Sequence, residues 1–556
     1  MDRQAMLERA ATETFDLLVI GGGITGAGIA REAALGGRRV ALVERTDFAS
    51  GTSSRSSKLI HGGLRYLRNY EFRLVHEAVV ERQRMLRMAP HLVYPLRFVF
   101  PVYAGDPDPL WKLKLGLMVY DAFAGPSNKI RHHIYRAPRL LEIEPLLQRQ
   151  ALRGGGVYTD SATDDGRLVI EVVQSAVERG VVVANYAEVE SLLDDDGRVG
   201  GARVRDRLGG ATIDVRARRV ISAAGPWADH VRRMEDPGAR PLLRLTKGVH
   251  VSVGRSRLPV NHAVTIRGED GRVMFAIPSG AYTYVGTTDT DYVGDPEQVD
   301  IEWSDVEYIL RAARRNFPDA PVGPDDVVGA WAGLRPLIAS DAADPSATSR
   351  DYKLYHGPRG LVTVAGGKLT AFRAMASHIV DEVFPETRGE QRRVLSMARL
   401  PGAPQAPPDP RLAQRLAADL DEPRDEVLRV ALRYGRAFPE VLADYEQLRA
   451  ERPPRLAWRL AQLRRAVTAE MARRLEDVLR RRTSLLLFSP DNGMADVDAL
   501  GQEMGRLLGW SAARLSEEVA SARKLAEDML AWRAVADRRQ PVRAEGSAAG
   551  HLAWRG

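Results

Sequence analysis

The stretch FDLLVIGGGITGAGIA, residues 15–30, restricts the fold more than any other part of the chain. Residues 15–20 form an apolar run of strand length, which passes without a spacer into Gly21, Gly23 and Gly26 and then into an Ala-rich helical pattern. A second apolar run, 39–43, ends at Glu44, 21 residues after Gly23. Gly21 permits a tight turn, Gly23 lets backbone approach a diphosphate, and Gly26 lets helix and strand pack closely. The helix N-terminus then presents N–H groups and a partial positive charge to phosphates, while Glu44 can accept from ribose hydroxyls. Glycines alone would say little in a chain that has 49 of them. Strand, helix, second strand and acid in this order predict a dinucleotide-binding β-α-β unit.

Two more strand-to-glycine junctions follow, at RVISAA into Gly225 and at 360–365 into Gly366-Gly367-Lys368. Residues 164–179 have helical spacing, and Asp194-Asp195-Asp196-Gly197 reads as a hairpin turn. Together these predict one α/β nucleotide-binding sheet assembled from segments of about 14–80, 150–240 and 327–395 within an oxidoreductase region 1–400. The stretches 80–150 and 240–327 are expected to form an inserted substrate layer. PGAPQAPPDP, 401–410, reads as a linker, and Leu, Ala and Arg periodicity predicts a helical domain over 411–540. Its charged stretch, Arg473, Arg474, Glu476, Asp477 and Arg480 to Arg482, reads as a solvated or interdomain face. The tail 541–556 is expected to be disordered.

At 556 residues the chain has room for two to four domains. It contains no cysteine, which excludes disulfides, thiolate metal sites, all-cysteine clusters and the disulfide reductases. No metal site is expected. Of 80 cationic residues only eight are lysines, and cations are interleaved with 73 carboxylates, a pattern that does not favour nucleic acid as partner. Residues 1–14 lack the apolar centre of a signal peptide, and no run approaches the roughly 20 apolar residues of a span, so the expected location is cytoplasmic. Residues 109–124, PLWKLKLGLMVYDAFA, combine Trp111, Lys112 and Lys114 with apolar residues as interfacial helices do, although an ordinary packed helix would read alike.

GTSSRSSKLIHGGLRY, residues 51–66, resembles the signature of the FAD-dependent (aerobic, respiratory) glycerol-3-phosphate dehydrogenases. The agreement continues in order through YEFRLVHEA, APHL, SAAGPWA, KGVH, VGTTD, GLRPL, RDYKL and GGKLTAFR. The resemblance implies a Rossmann-like FAD-binding domain of the glutathione-reductase/D-amino-acid-oxidase type, with an inserted antiparallel-sheet substrate domain and an all-α C-terminal domain. It implies oxidation of sn-glycerol 3-phosphate to dihydroxyacetone phosphate by hydride transfer to FAD, with electrons passed to a quinone at the inner face of the cytoplasmic membrane. The attachment would be peripheral and monotopic. A homodimer is left open. Glycerophosphate oxidases, which use oxygen, typically carry an extra insertion in the substrate layer; here KGVH reaches GTTD within about forty residues. A dinucleotide-binding regulator without turnover is the alternative from another class.

A phosphate dianion bearing a secondary alcohol needs fixed cations at one end and a proton acceptor at the other. By resemblance Arg335, Arg350 and Lys368 bind phosphate or place charge beside the flavin, and Arg65 and Tyr66 border the reacting carbon. Lys368 stands out because lysine is rare in this chain and a compact ammonium follows two glycines. His61 is the favoured base and His250 the group that orients the hydroxyl, with reversed roles left open. Thr287 and Thr288 could donate to substrate or cofactor. Gly21, Gly23 and Gly26 are expected to face the pyrophosphate and Glu44 the ribose, with Thr52, Ser53 and Ser54 along the phosphates. By resemblance Ser57, Lys58 and Leu59 lie beside the isoalloxazine, and Ala187 and Gly225 flank the adenine half.

Overall fold

The computed structural model describes residues 1–125, 130–339, 352–405, 410–420 and 423–539. Strand β1 (Leu17–Ile20), helix α1 (Ile24–Leu35) and strand β2 (Val40–Val43) form the expected unit, with β1 and β2 parallel. They belong to a six-stranded sheet in which β1 also pairs with Val220–Ser222, which pairs in turn with Val362–Gly366. Alternate residues of β1 go to opposite faces. Leu17 and Val19 pack among the helices α1, Asp165–Val177 and Phe372–Val383, while Leu18 and Ile20 pack against a four-stranded sheet that contains Ala187–Asp195 and Arg198–Asp206. Burial on both faces explains why these strands are unbroken apolar runs and not alternating ones.

The inserted layer is a ten-stranded, mostly antiparallel sheet, with one parallel pairing where Ala263 meets Phe98. Helix α2 (Leu110–Ala124) packs Leu113, Leu117 and Tyr120 on this sheet. Strand β3 (Leu243–Gly254) pairs along its length with β4 (Val327–Ile338), and Val93–Tyr103 pairs likewise with Leu152–Thr163. The segments proposed above for the nucleotide sheet, from 150 and from 327, therefore begin with strands that belong to the other sheet. The reason is that LRGGGVYTDSAT carries three glycines and mixed polarity, so nothing local distinguishes its partner. Gly154 and Gly155 would place a Cβ 2.2 and 2.4 Å from neighbouring carbonyl oxygens, so the close strand approach requires them.

The C-terminal region is helical, but the expected periodicity is interrupted between Pro454–Ala469 and Val497–Leu508 by turns and a short π-helical stretch, Asp477–Arg482. Within the expected linker, Ala403 is buried and Gly402 N donates to Glu171 at 2.7 Å; residues 406–409 and the tail lie outside the described residues.

Candidate functional site

One cavity of about 590 Å³ runs from the glycine turn after β1 to the junction of the two large sheets. At its first end Gly21 has a φ of +113°, and a Cβ there would sit 2.5 Å from the Ala223 carbonyl oxygen. Gly23 is the N-cap of α1 and brings no capping side chain; Ser53 Oγ accepts from Ile24 N at 3.0 Å. Glu44 lines the wall, one oxygen accepting from Gly22 N at 2.7 Å and the other from Thr46 N at 3.0 Å. Burial raises its pKa, and those two N–H groups and the Thr46 hydroxyl pull it back only in part. Ala187 and Gly225 also line this end.

At the other end His61, Tyr66, His250, Arg335 and Lys368 converge. His61 precedes Gly62 and Gly63, which are pinned from behind: Gly62 N donates to Tyr120 Oη at 2.9 Å and to Asp160 at 3.1 Å, and Asp160 is buried against Arg82 at 2.5 Å. A Cβ on Gly62 would meet Tyr120 Oη at 2.3 Å, so this turn can hold no larger residue. Lys368 Nζ lies 3.8 Å from the centre of the Tyr66 ring. Arg335, on β4, donates from Nη1 to Asp289 at 3.0 Å and from Nη2 to Thr287 Oγ1 at 3.0 Å. Its guanidinium rests on Gly248, where a Cβ would fall 2.3 Å from Nη2.

The two histidines differ in setting. His250 is 2% exposed, stacks on Trp331 with ring centres 4.9 Å apart, and shares a hydrogen bond of 2.9 Å between Nε2 and Ser57 Oγ. Burial first, then the charges of Arg335 and Lys58, hold its pKa well below the usual histidine value. It is a neutral, weakly basic ring. Its Nδ1 and Trp227 Nε1 are buried and have no hydrogen-bond partner within the protein, and both residues line the cavity.

Several expected contacts are not brought to the cavity. Lys58 turns away and pairs with buried Asp165 at 2.5 Å, acting on His250 only through its charge. Thr288 Oγ1 accepts from Val249 N at 2.9 Å, so it fastens β3 instead of facing a ligand. Ser54 is buried off the wall, and Thr52 lines it but spends its hydroxyl on Leu334 O at 2.6 Å. Gly26 packs under the turn, where a Cβ would lie 1.9 Å from the Gly21 oxygen, and does not itself line the space. Ser57 and Leu59 do line it. Arg65 sits on the 3₁₀ turn Leu64–Asn69 with its side chain outside the described residues, as is the whole of Arg350.

Residues that the sequence reading missed also form the wall: Arg55, Trp227, Arg474, Glu476 and Arg481. Of the two readings of the charged stretch 473–482, the solvated face fails and the interdomain face holds. Arg481, Arg482 and Asp477 are almost fully buried, and both arginines donate to Asp47, each at 2.6 Å. A hint was present in the apolar Leu475, Val478 and Leu479 interleaved with those charges.

The family model described as FAD dependent oxidoreductase matches residues 16–373, and that of the C-terminal domain of alpha-glycerophosphate oxidase matches 396–515. The aerobic glycerol-3-phosphate dehydrogenase of Staphylococcus haemolyticus is 36% identical over 93% of this chain and 95% of its own length. The alpha-glycerophosphate oxidase of Streptococcus pyogenes is 35% identical over 92% and 94%. Among solved structures, the glycerol-3-phosphate dehydrogenase from Bacillus halodurans complexed with FAD superposes with a TM-score of 0.80 at 34% identity, covering 95% of this chain and 97% of that one. The glycine turn, the helix N-terminus at Gly23, the buried acid and the unpartnered ring nitrogens of His250 and Trp227 suit a dinucleotide with a polar ring system. The chain belongs to the family of FAD-dependent glycerol-3-phosphate dehydrogenases.

Proposed function

We propose that this chain oxidises sn-glycerol 3-phosphate to dihydroxyacetone phosphate with FAD and delivers the electrons to a membrane quinone. The observation that carries this reading is a single cavity with Gly21, Gly23 and Glu44 at one end and His61, Tyr66, Arg335 and Lys368 at the other. Bound FAD would supply the two-electron oxidant for the secondary alcohol. Arg335, oriented by Asp289 and Thr287, and Lys368 offer fixed charge to the phosphate dianion. His61 accepts the hydroxyl proton, and neutral His250, held by Ser57 and Trp331, orients that hydroxyl without competing for the proton. Anaerobic addition of glycerol 3-phosphate should bleach the yellow protein, with colour returned by quinone. Failure to bleach would remove the enzyme reading; fast recolouring by air, as an oxidase would show, would remove the quinone.

Support for a quinone comes from two features. The segments that carry His250 and Asp289 are joined by short adjacent strands without a further insert. Helix α2 exposes Trp111, Leu115 and Met118, spaced at helical intervals on one side, at 69%, 55% and 52%, while Leu113 and Leu117 face inward. Among the described residues no helix is long and apolar enough to cross a membrane, so contact with lipid would be through this face. Replacing Trp111, Leu115 and Met118 by serine should reduce co-sedimentation with anionic vesicles several-fold and leave flavin reduction by substrate unchanged. Equal sedimentation would move the docking face elsewhere.

A further inference from the structure

The segment that interrupts the C-terminal helices reaches into the nucleotide half. Asp47 leaves the same turn as Glu44 and is fully buried, receiving Arg481 Nε and Arg482 Nη1. Arg481 Nη2 donates to Asp477 at 2.5 Å, Tyr186 Oη donates to the same carboxylate at 2.6 Å, and Asn185 Nδ2 bridges to Met471 O at 2.9 Å. The segment is therefore clamped onto the strand ends that carry Glu44 and Ala187, and its Arg474, Glu476 and Arg481 line the cavity there.

Arg55 faces them on the same wall. Its buried Nε has no hydrogen-bond partner, and it makes no ion pair among the described residues. Its backbone packs closely on Gly333, where a Cβ would lie 2.6 Å from the Arg55 oxygen. Burial, then repulsion from Arg480 and Arg481 against a partial offset by Glu476, lowers its pKa to about 9. A buried guanidinium kept beside Arg480 and Arg481, offset only in part by Glu476 and with Nε unpartnered on a cavity wall, is suited to a further anion.

We infer that residues 473–482 of the C-terminal region form part of the cofactor site, and that Arg55, backed by this segment, supplies counter-charge to a phosphate of the bound adenine dinucleotide. The inference rests on the FAD reading above and deepens it by making the C-terminal region a wall of the same site. The phosphate chemistry could equally serve the substrate, and the two are separable. In the full chain, Arg55→Met should weaken FAD affinity, read from flavin fluorescence, about 10- to 100-fold, the range for a hydrogen bond to a charged group. KM for glycerol 3-phosphate at saturating FAD should stay within twofold. Arg55→Lys should recover most of the affinity, and the wild-type affinity should fall more steeply with salt than that of Arg55→Met. Amide exchange in 473–482 should slow when ADP, which lacks the flavin, is added to the deflavinated full chain.

Unchanged FAD affinity in Arg55→Met, or a raised KM with FAD affinity intact, would overturn the role of Arg55. No slowing of exchange would overturn the wall. If the wild-type chain itself takes up no FAD, the cofactor reading fails first, which distinguishes the two failures.

Discussion

The two ends of the cavity are built by different means. The glycine turn at the dinucleotide end is backbone from one contiguous stretch, where Gly21 and Gly26 act by having no side chain, with Glu44 and Arg55 among the side chains set around it. The reacting end is side chains from separate segments, with His61, His250, Arg335 and Lys368 each delivered by a different strand or turn, and with His250 stacked on Trp331, Arg335 held by Asp289 and Lys368 lying over Tyr66. Backbone sites tolerate no added atom, while side-chain sites lose function in graded steps. The cavity thus has one end that a substitution abolishes and one end that a substitution detunes.

The largest expected effect follows from that contrast. Gly26→Val would force a Cβ into the Gly21 carbonyl, where even the first added carbon falls at 1.9 Å, and the purified protein should carry essentially no flavin. A yellow Gly26→Val variant would show that the glycine turn does not govern flavin binding. At the other end His61→Asn should keep FAD and slow anaerobic flavin reduction by about 10²- to 10⁴-fold, the usual range for losing a general base. A rate near wild type would pass the role to His250.

Asp47 tests whether the buried clamp joins the two halves of the chain as firmly as its geometry implies. Asp47→Asn removes the carboxylate that Arg481 and Arg482 share, leaving Arg481 to Asp477 and Glu476 and Arg482 to Glu470, and should cost about 3 kcal/mol in unfolding experiments. The pH dependence has a definite sign. Although burial opposes ionisation, Arg482 and Arg481 lower the pKa of Asp47 from 3.8 to about 2. Its contribution is therefore complete above about pH 4 and is lost as pH falls toward 2. Wild type should lose stability across that window more steeply than Asp47→Asn, and parallel curves would show that the pair is not a net stabiliser.

The smallest effect sharpens the contrast between the histidines. His250 is held neutral by burial and two cations, so an acid limb in the rate of flavin reduction near neutral pH belongs to another group. His250→Gln should lower the rate yet leave the position of that limb unchanged. A limb that vanishes with His250 would make it the titrating base.

The dinucleotide end was legible because each of its requirements is local. A tight turn, a close strand and a helix start lie within twelve residues, and their spacing is dictated by strand and helix geometry. The reacting end was legible only as residue types within motifs. Arg335, Lys368 and His61, singled out in that way, line the cavity, but Lys58 and Thr288 do not, because their motifs run past it. The pairing of Lys58 with Asp165, and of Thr288 with Val249 N, depends on partners 107 and 39 residues away. Arg55 was not singled out, because an arginine among 72 carries no signal until its surroundings are known.

The glycine spacing alone marks the first β-α-β unit as suited to a dinucleotide, since the φ at Gly21 and the close approach at Gly26 admit glycine there and little else. Folding alone buries Asp477, Arg481 and Arg482 and pairs the strands at 152 and 327 with the ten-stranded sheet. The physical reason is that a charge is solvated or buried according to what lies opposite it, and Asp47 is 434 residues from Arg481 along the chain.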